Sequence, residues 1–338
     1  MSARYALVAV RIAQAVPALI GVIVVSFLLT RTLPGDPAAY YAGPAATPES
    51  IAQIRTAMGL DAPLPTQFGR YVADLFRGDL GQSLSTGQPV LDELTRRLPA
   101  SLELTLAALT LSCLIALPLG VAAATRQGSL IDHACRALVT AGVSLPTFFT
   151  GLVLVYVFYY LLGWAPSPIG RLDFVYLPPP EVTGFFVIDA ALAGDVETAL
   201  GAAGQLTLPA ITLALFTMAP IARMSRGAML AALSSDYIRT ARATGLSRTR
   251  IVYGYALRNA LLPVITTLSM VFSFTLGANV LVEKVFSWPG IGSYAIEALV
   301  VSDYAAVQGF VLAMAVLFVL LNLLVDIVHT LVDPRTRQ

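Results

Sequence analysis

Long apolar runs divide the chain into six segments, each of the length that a membrane helix requires. About 20 largely apolar residues cross a hydrocarbon core of ~30 Å. In the third run, Trp164, Pro166 and Pro168 predict that the helix ends near Leu162. Neighbouring helices can satisfy the backbone around a proline in a membrane, so Pro146 is not expected to interrupt this run. We therefore predict six transmembrane helices in the runs 12–30, 104–125, 137–170, 198–222, 259–282 and 304–325.

Residues 31–99, between the first two runs, have the pattern of a small helical subdomain outside the membrane. Thr47 is predicted to cap a helix that begins with Pro48 and ends at Gly59. Apolar residues then recur at helical spacing over 68–76 and again over 90–98, where Pro99 is predicted to end the helix. The predicted domains are the N-terminus with the first helix at 1–30, the subdomain outside the membrane at 31–99 and the membrane core at 100–338, which contains a connecting loop at 229–262.

The first apolar run could also be a cleaved secretory signal, since it follows Arg4 and Arg11. It runs well past the 7–15 apolar residues of a signal peptide. We therefore predict an uncleaved first helix.

Composition agrees with an integral membrane protein. The 338 residues are 57% hydrophobic and 12% charged, whereas soluble domains carry roughly 25% charged residues. The apolar content excludes a disordered chain, and two cysteines exclude a disulfide scaffold. Cys113 and Cys135 lie in or beside apolar runs, which favours buried small hydrophobes over a redox or metal pair.

Arginine placement predicts the orientation in the membrane. If the N-terminus is cytoplasmic, the inner segments hold thirteen arginines against four aspartates, a net charge of +9. The outer segments then hold seven arginines and Lys284 against sixteen acids, a net charge of −8. The positive-inside rule therefore places both termini in the cytoplasm.

The chain lacks the residues of an energy-converting site. A phosphate-binding loop requires Gly-Lys-Ser/Thr, but the single lysine, Lys284, follows Glu283. His133 and His329 form no metal or nucleophile motif, so we predict no catalytic, cofactor-binding or metal-binding residue. No titratable residue lies in the middle of a predicted span, which argues against proton coupling and less strongly against sodium coupling. These absences suggest that energy arrives from a partner.

The longest inner loop, between the fourth and fifth runs, predicts a compact helix-turn-helix. Ser235 or Asp236 can cap a short helix through Thr244, and Gly245 can supply the left-handed residue that ends it. Ser247 can cap a second helix that leads into the fifth span. Small residues, Ala241 and Ala243, would let a partner approach closely, while Arg239 and Arg242 keep the surface basic. The alternative is a basic loop that obeys the positive-inside rule and touches anionic lipid.

This loop resembles the cytoplasmic coupling loop of ABC importer permeases. The general pattern of that loop begins with Glu-Ala-Ala, where this chain has Arg239-Thr240-Ala241. It ends with Ile-x-Leu-Pro, where this chain has Tyr255-Ala256-Leu257-Arg258, so the match to the general pattern is partial. The form found here is instead that of the peptide-importer branch, in the segments Asp236-Tyr-Ile-Arg-Thr-Ala-Arg-Ala-Thr-Gly245 and Ala256-Leu-Arg-Asn-Ala-Leu-Leu-Pro263.

Further segments resemble the same branch along nearly the whole chain. They are Leu33-Pro-Gly-Asp-Pro37, Gly59-Leu-Asp-x-Pro63, Gly78-Asp-Leu-Gly-x-Ser83, Thr183-Gly-Phe-Phe-Val-Ile-Asp189 and Glu283-x-Val-Phe-Ser-Trp-Pro-Gly-Ile-Gly292. Taken singly, each of these segments has an alternative explanation. Pro34–Pro37 could be a tight turn and Trp288 an aromatic-belt anchor, but five matches in order favour the family.

The resemblance implies roles for individual residues. Pro263 would begin the fifth span, and Arg258 and Asn259 would anchor the second inner helix. Contact with an ATPase is implied for Asp236, Tyr237, Arg239, Thr240, Ala241, Arg242, Ala243, Gly245, Arg258 and Asn259. An outer docking or gating role is implied for Asp36, Asp79, Trp288, Pro289 and Gly290.

The function that follows is a permease subunit for dipeptides or short peptides in a bacterial cytoplasmic membrane. The resemblance implies a second homologous permease subunit, two cytoplasmic ATPase subunits that bind ATP and Mg, and an extracytoplasmic peptide-binding protein. No nucleic-acid partner is expected. Three alternatives stay open. The first is a permease of the same family for another solute, namely a nickel complex, an opine or glutathione. The second is an ion-coupled secondary carrier, and the third is a membrane scaffold or receptor that transports nothing.

Overall fold

The computed structural model describes residues 16–28, 36–43 and 45–332, and these residues are nearly all helical. Outside the helices, the described residues contain one isolated bridge, between Gln82 and Pro89. The all-α prediction is therefore confirmed. The helices are α1 (Val16–Leu28), α2 (Pro37–Ala42), α3 (Pro48–Ala57), α4 (Leu64–Phe76), α5 (Val90–Thr125), α6 (Leu130–Ser144), α7 (Thr147–Leu154), α8 (Phe186–Leu192), α9 (Val196–Leu233), α10 (Asp236–Ala243), α11 (Leu257–Val285), α12 (Ile291–Val300) and α13 (Tyr304–Val332), with π-helical turns at Val155–Leu161 and Arg250–Ala256.

Four helices of the described chain are long and apolar enough to cross a membrane: α5, α9, the continuous segment Arg250–Val285, and α13 over Tyr304–Leu324. A fifth candidate is the pair α6 and α7, which is bent by 106° at a short break. Helix α1 accounts for part of the first predicted span, whose remaining residues lie outside the described ranges. The same holds for most of the segment 33–37 and for both chain termini. The count of six spans therefore stays a prediction.

Pro146 interrupts the third apolar run, so the prediction of one continuous helix was wrong. Leu145 is extended, with φ −107° and ψ 135°, and α7 begins only after Pro146. Proline disfavours the helical conformation of the residue before it, which accounts for the break at Leu145. The predicted end near Leu162 is confirmed, because the π-helical turn ends at Leu161 and Gly163 is left-handed.

Two other prolines do not act as the sequence suggested. Helix α5 continues through Pro99, where the end of a helix was predicted, and Pro263 lies inside α11 rather than at the first position of a helix. An internal proline costs a helix about 3 kcal/mol. Packing on both sides offsets that cost around Pro99, because Leu94 and Leu104 are both buried.

The first of two compact units comprises the described residues of 1–99 and 290–323. Its core joins the beginning of α5 to α12 and α13 through Val90, Leu94, Tyr294 and Ala306. The predicted helix α3 is confirmed: Thr47 accepts a hydrogen bond from the Ser50 N–H, and Gly59 is left-handed.

The second unit comprises the described residues of 100–289 and 324–332, and α9 is its central helix. Helices α6, α7, α8 and α11 all pack against α9. Two glycines permit the closest approaches. A Cβ on Gly120 would lie 2.7 Å from the Ser225 Cβ, and one on Gly142 would lie 2.6 Å from the Leu215 carbonyl oxygen. Such small-residue contacts are how membrane helices pack closely without a hydrophobic driving force between them.

Candidate functional site

The predicted inner helix is present as α10, and its boundaries follow from local capping. Ser235 occupies the N-cap, but its hydroxyl donates to the Ala232 carbonyl at 2.5 Å instead of accepting from the helix. Gly245 is left-handed with φ +77°, as predicted. The Leu246 N–H donates to the Ala241 carbonyl at 3.3 Å, and the Gly245 N–H donates to the Arg242 carbonyl at 3.1 Å. These two bonds form a Schellman motif, which satisfies the last carbonyls of the helix.

The second inner helix begins where Ser247 predicted it. The Ser247 hydroxyl accepts from the Arg250 N–H at 3.4 Å, and the chain continues through the π-helical turn into α11. Arg248 donates from Nη2 to the Thr125 carbonyl at the end of α5, at 3.0 Å. The turn after α10 is therefore tied to two long helices.

Helix α10 has one buried and one exposed face. Ile238 and Ala241 are buried, so the expectation that Ala241 admits a close partner was wrong, whereas Ala243 is exposed. The sequence placed both alanines on one helix but could not tell which faces its own chain. The α10 base, on which the buried face packs, consists of Val121, Ala124, Met229, Ala232, Ile251, Val252, Ala256 and Ala260 from α5, α9 and the start of the fifth span.

The exposed face carries most of the residues implicated in coupling. Arg239 pairs with Asp236 at 3.3 Å, and because both side chains are highly exposed this pair adds little stability. Asn259 donates to the Tyr255 carbonyl of its own helix at 2.9 Å, so its amide bonds locally. The remaining residues on exposed positions are Tyr237, Thr240, Arg242, Ala243, Gly245 and Arg258.

An ion pair with a buried carboxylate lies next to this region and was missed by sequence reasoning. Asp132, near the start of α6, accepts from Nε of Arg226 at 2.6 Å and from its Nη2 at 3.2 Å. The Gly128 N–H adds a third bond at 3.0 Å. Asp132 is buried, and Arg226 lies on α9 two turns before its end. The pair therefore joins α6 to the helix that leads into α10. The available signal was that Asp132 is the one acid among the inner residues 126–136.

We expect charge reversal at Asp132 or Arg226 to weaken the fold. Asp132→Arg or Arg226→Asp places like charges against each other at a partly buried site, which is destabilising. The double swap should recover part of the loss in thermal stability. The same swap at the exposed Arg77–Asp74 pair, 3.4 Å apart, is the control and should leave thermal stability unchanged. A double swap no better than the worse single variant would contradict a direct pairing.

Trp288 is a core residue rather than a surface residue. Only 1% of it is exposed, and its indole Nε1 donates to the Ala100 carbonyl at 2.9 Å. The Trp288 N–H also bonds to the Glu283 carbonyl at 2.7 Å, closing α11 around Ser287, which has φ +51°. This burial contradicts both a docking contact of the ring and the aromatic-belt alternative.

The other predicted outer residues hold turns. Asp36 accepts from the Ala38 N–H at 3.0 Å, and Asp79 from the Gly81 N–H at 2.8 Å. Gly290 is buried at the N-cap of α12, while Pro289 is exposed. These contacts explain the local sequence without requiring a partner.

A polar cluster beside Trp288 joins α5 to α11 within the second unit. The Ser101 hydroxyl donates to Glu283 Oε1 at 2.5 Å. The Asn279 amide donates to the Ser101 carbonyl and to the Thr105 hydroxyl, each at 3.3 Å. Ser101, Thr105, Asn279 and Glu283 are all buried. Hydrogen bonds between polar side chains stabilise the association of apolar helices, so this cluster ties α5 to α11 at this end.

The loop between α7 and α9, which the sequence predicts to be outer, is fastened to α5 by an ion pair that the sequence did not reveal. Arg171 Nη2 lies 2.6 Å from Glu103 Oε2, and its guanidinium stacks 3.7 Å from the Phe186 ring centre. The second oxygen of Glu103 accepts from the Val187 N–H at 3.0 Å. Thus one carboxylate in the first half of α5 holds both flanks of the loop.

Asp189 closes the same loop on itself. Burial raises the pKa of its carboxyl, but the Thr183 hydroxyl and the N–H groups of Val182, Thr183 and Gly184 outweigh that effect and lower the pKa below its usual value. Asp189 is therefore charged at neutral pH and orders the segment that resembled the peptide-importer branch.

Neither a metal site nor a disulfide occurs in the part of the chain that the structure describes. These residues include no group of three or more His, Cys, Asp or Glu side chains placed to hold a metal ion. Cys113 and Cys135 are both free.

Four long apolar helices, a bent fifth pair and the half-exposed helix α10 packed on their ends are typical of a polytopic membrane protein of the transport-subunit class. Residues 116–338 match the family described as "Binding-protein-dependent transport system inner membrane component". Residues 4–105 match the corresponding N-terminal family of membrane components. The chain belongs to this family of ABC transporter permease subunits.

Curated relatives extend over nearly the full chain. The probable D,D-dipeptide transport system permease protein DdpB of Escherichia coli is 45% identical over 93% of this chain and 92% of its own. The di/tripeptide transport system permease protein DppB of Pseudomonas aeruginosa is 43% identical over 98% of both chains. The dipeptide transport system permease protein DppB of Escherichia coli is 39% identical over 97% of both. The predicted membership of the peptide branch of ABC importer permeases is confirmed, and the carrier and scaffold alternatives are not favoured.

Proposed function

We propose that this chain is one of two homologous permease subunits of an ATP-driven importer and that the two together form a pathway for dipeptides or short peptides. The observation that carries the proposal is α10, which presents a basic surface while its other face is locked onto α5, α9 and the start of the fifth span. The names of the relatives support peptides over other solutes.

The exposed face of α10 sits in a groove of one of two cytoplasmic ATPase subunits, which bind ATP and Mg. Closure of the ATPase pair pushes α10. Because Ile238 and Ala241 are packed on the α10 base, the push moves the ends of several helices together instead of bending one loop. Tight packing transmits such displacements, since packed interiors resist compression. The Asp132–Arg226 pair extends the moving body to α6.

The arginine-rich segments face the cytoplasm, with both termini on that side and six spans in a bacterial cytoplasmic membrane. The outer segments, among them the subdomain 31–99, receive an extracytoplasmic peptide-binding protein. Most of the selectivity for peptides resides in that protein, because the spans present few polar groups. Asp36, Asp79, Pro289 and Gly290 shape the outer turns, and Trp288 supports a gate from inside the fold.

Transport by the complete complex tests this function. The chain is co-expressed with its neighbouring transport genes, purified as a complex and reconstituted in vesicles with the binding protein. Uptake of a labelled dipeptide should require both ATP and the binding protein. Uptake driven by an ion gradient without ATPase subunits, or failure to recover any ATPase with the chain, would overturn the proposal.

A further inference from the structure

A cavity of about 680 Å³ lies beside α10, within the second unit. It is bounded by the ends of α5 and α9 and by the turn that follows α10. Its apolar wall includes Leu230, Leu233 and Ile251, and its polar wall includes Gln127 and Ser234. Ligand sites in proteins commonly enclose about 300–1,000 Å³ and combine an apolar wall with a few polar groups, so the cavity has the size and composition of a binding site.

The charges of the cavity select an anion. Arg242 and Arg248 line it, and no carboxylate is among its lining residues. One guanidinium N–H of Arg248 is used by the Thr125 carbonyl, which holds that side chain in place and leaves its other donors available. Arginine presents a planar fork of donors that matches the oxygens of a phosphate group.

The position of the cavity indicates whether the phosphate belongs to a lipid or is a free ion. It lies where two membrane-crossing helices end, among the inner segments that carry thirteen arginines. Basic pockets between helices at the cytoplasmic surface suit phospholipid head groups, and an apolar wall suits the glycerol and first methylenes of a lipid. A free phosphate ion would leave that wall uncovered.

We propose that this cavity binds the head group of an anionic phospholipid of the inner leaflet, with Arg242 and Arg248 on its phosphate. The inference rests on the orientation given with the proposed function, but it does not depend on which solute is carried. Because Arg242 belongs to α10, a bound lipid restrains the helix that contacts the ATPase. The lipid composition of the inner leaflet then modulates coupling.

The test measures lipid retention by the intact transporter complex. The complex is reconstituted in nanodiscs of phosphatidylglycerol and phosphatidylcholine and then released for native mass spectrometry. Phosphatidylglycerol should be retained selectively, and Arg248→Gln should reduce retention about tenfold, the effect of losing one charge-assisted bond. Arg248→Lys, which keeps the charge, should lose less. Arg250→Gln removes an exposed arginine that does not line the cavity and is the matched control.

Several results would overturn the proposal. One is equal retention of phosphatidylglycerol by Arg248→Gln and Arg250→Gln. Another is displacement of the lipid by inorganic phosphate at matched concentration. A third is that the ATPase subunits cover Arg248 at every lipid composition. The last result would assign the cavity to an acidic surface of the ATPase. Peptide uptake is measured on the same preparations. Normal uptake without selective lipid retention refutes the lipid site alone, whereas lipid retention without ATP-dependent uptake refutes the proposed function alone.

Discussion

Replacing Gly245 by valine will uncouple ATP hydrolysis from peptide uptake while the chain still inserts into the membrane. Gly245 ends α10 in the left-handed conformation, with φ +77°. A Cβ built there meets nothing within 4 Å, so the penalty comes from the backbone and not from crowding. That conformation costs a non-glycine residue about 1–2 kcal/mol, and more for a β-branched side chain. The substitution therefore disturbs the Schellman turn that sets the direction of the chain after α10.

Two substitutions separate this effect from mere loss of a glycine. Gly245→Asn should retain most coupling, because asparagine tolerates the left-handed conformation. Gly227 lies at an exposed position inside α9, and a Cβ added there also meets nothing within 4 Å. The variant Gly227→Val should therefore behave like the unmodified protein. The measurement is dipeptide taken up per ATP hydrolysed in reconstituted vesicles. Normal uptake by Gly245→Val would refute the role of this turn.

Replacing Trp288 by alanine will destabilise the protein by about 3–5 kcal/mol, the usual cost of removing a large buried aromatic side chain. The ring is packed in one cluster with Ala100, Leu104 and Phe286. Its removal would also leave the Ala100 carbonyl without the hydrogen bond that the indole N–H donates. We expect the thermal unfolding midpoint of the purified complex to fall markedly, with a parallel loss of transport. Trp288→Phe should show a smaller decrease, because it keeps most of the packing and loses the hydrogen bond.

The chain provides a matched control in its second tryptophan. Trp164 is 75% exposed, so Trp164→Ala should leave the thermal midpoint almost unchanged. The comparison also separates a structural role from a docking role. If Trp288→Ala keeps normal stability and only weakens binding of the peptide-binding protein, the assignment of Trp288 to the core is wrong.

Local signals predicted the short elements well. Thr47 and Pro48 at the start of α3, and Gly245 at the end of α10, were read correctly because capping involves residues only three to five positions apart. The prolines show where local reading fails. Pro146 breaks a helix and Pro99 does not, because the outcome depends on whether packing on both sides offsets the lost backbone bond.

Contacts between distant residues could not be predicted at all. Arg171 and Glu103 are 68 positions apart, and Arg226 and Asp132 are 94 apart. In the sequence each is an ordinary charge near a helix end. The burial of Ala241 and Trp288 is likewise a property of what surrounds them, so a helical pattern or an aromatic type alone gave the wrong surface for both.

By itself the sequence determined the membrane class and the position of helix α10, and it predicts which segments are inner and which are outer. These follow from hydropathy, charge placement and capping, which act over one or two helical turns or along the chain as a whole. Only the tertiary structure decided which face of α10 is free, which buried charges join the helices and which tryptophan lies in the core. Those features arise from packing between segments far apart in the chain, and packing geometry is not encoded in any single stretch of residues.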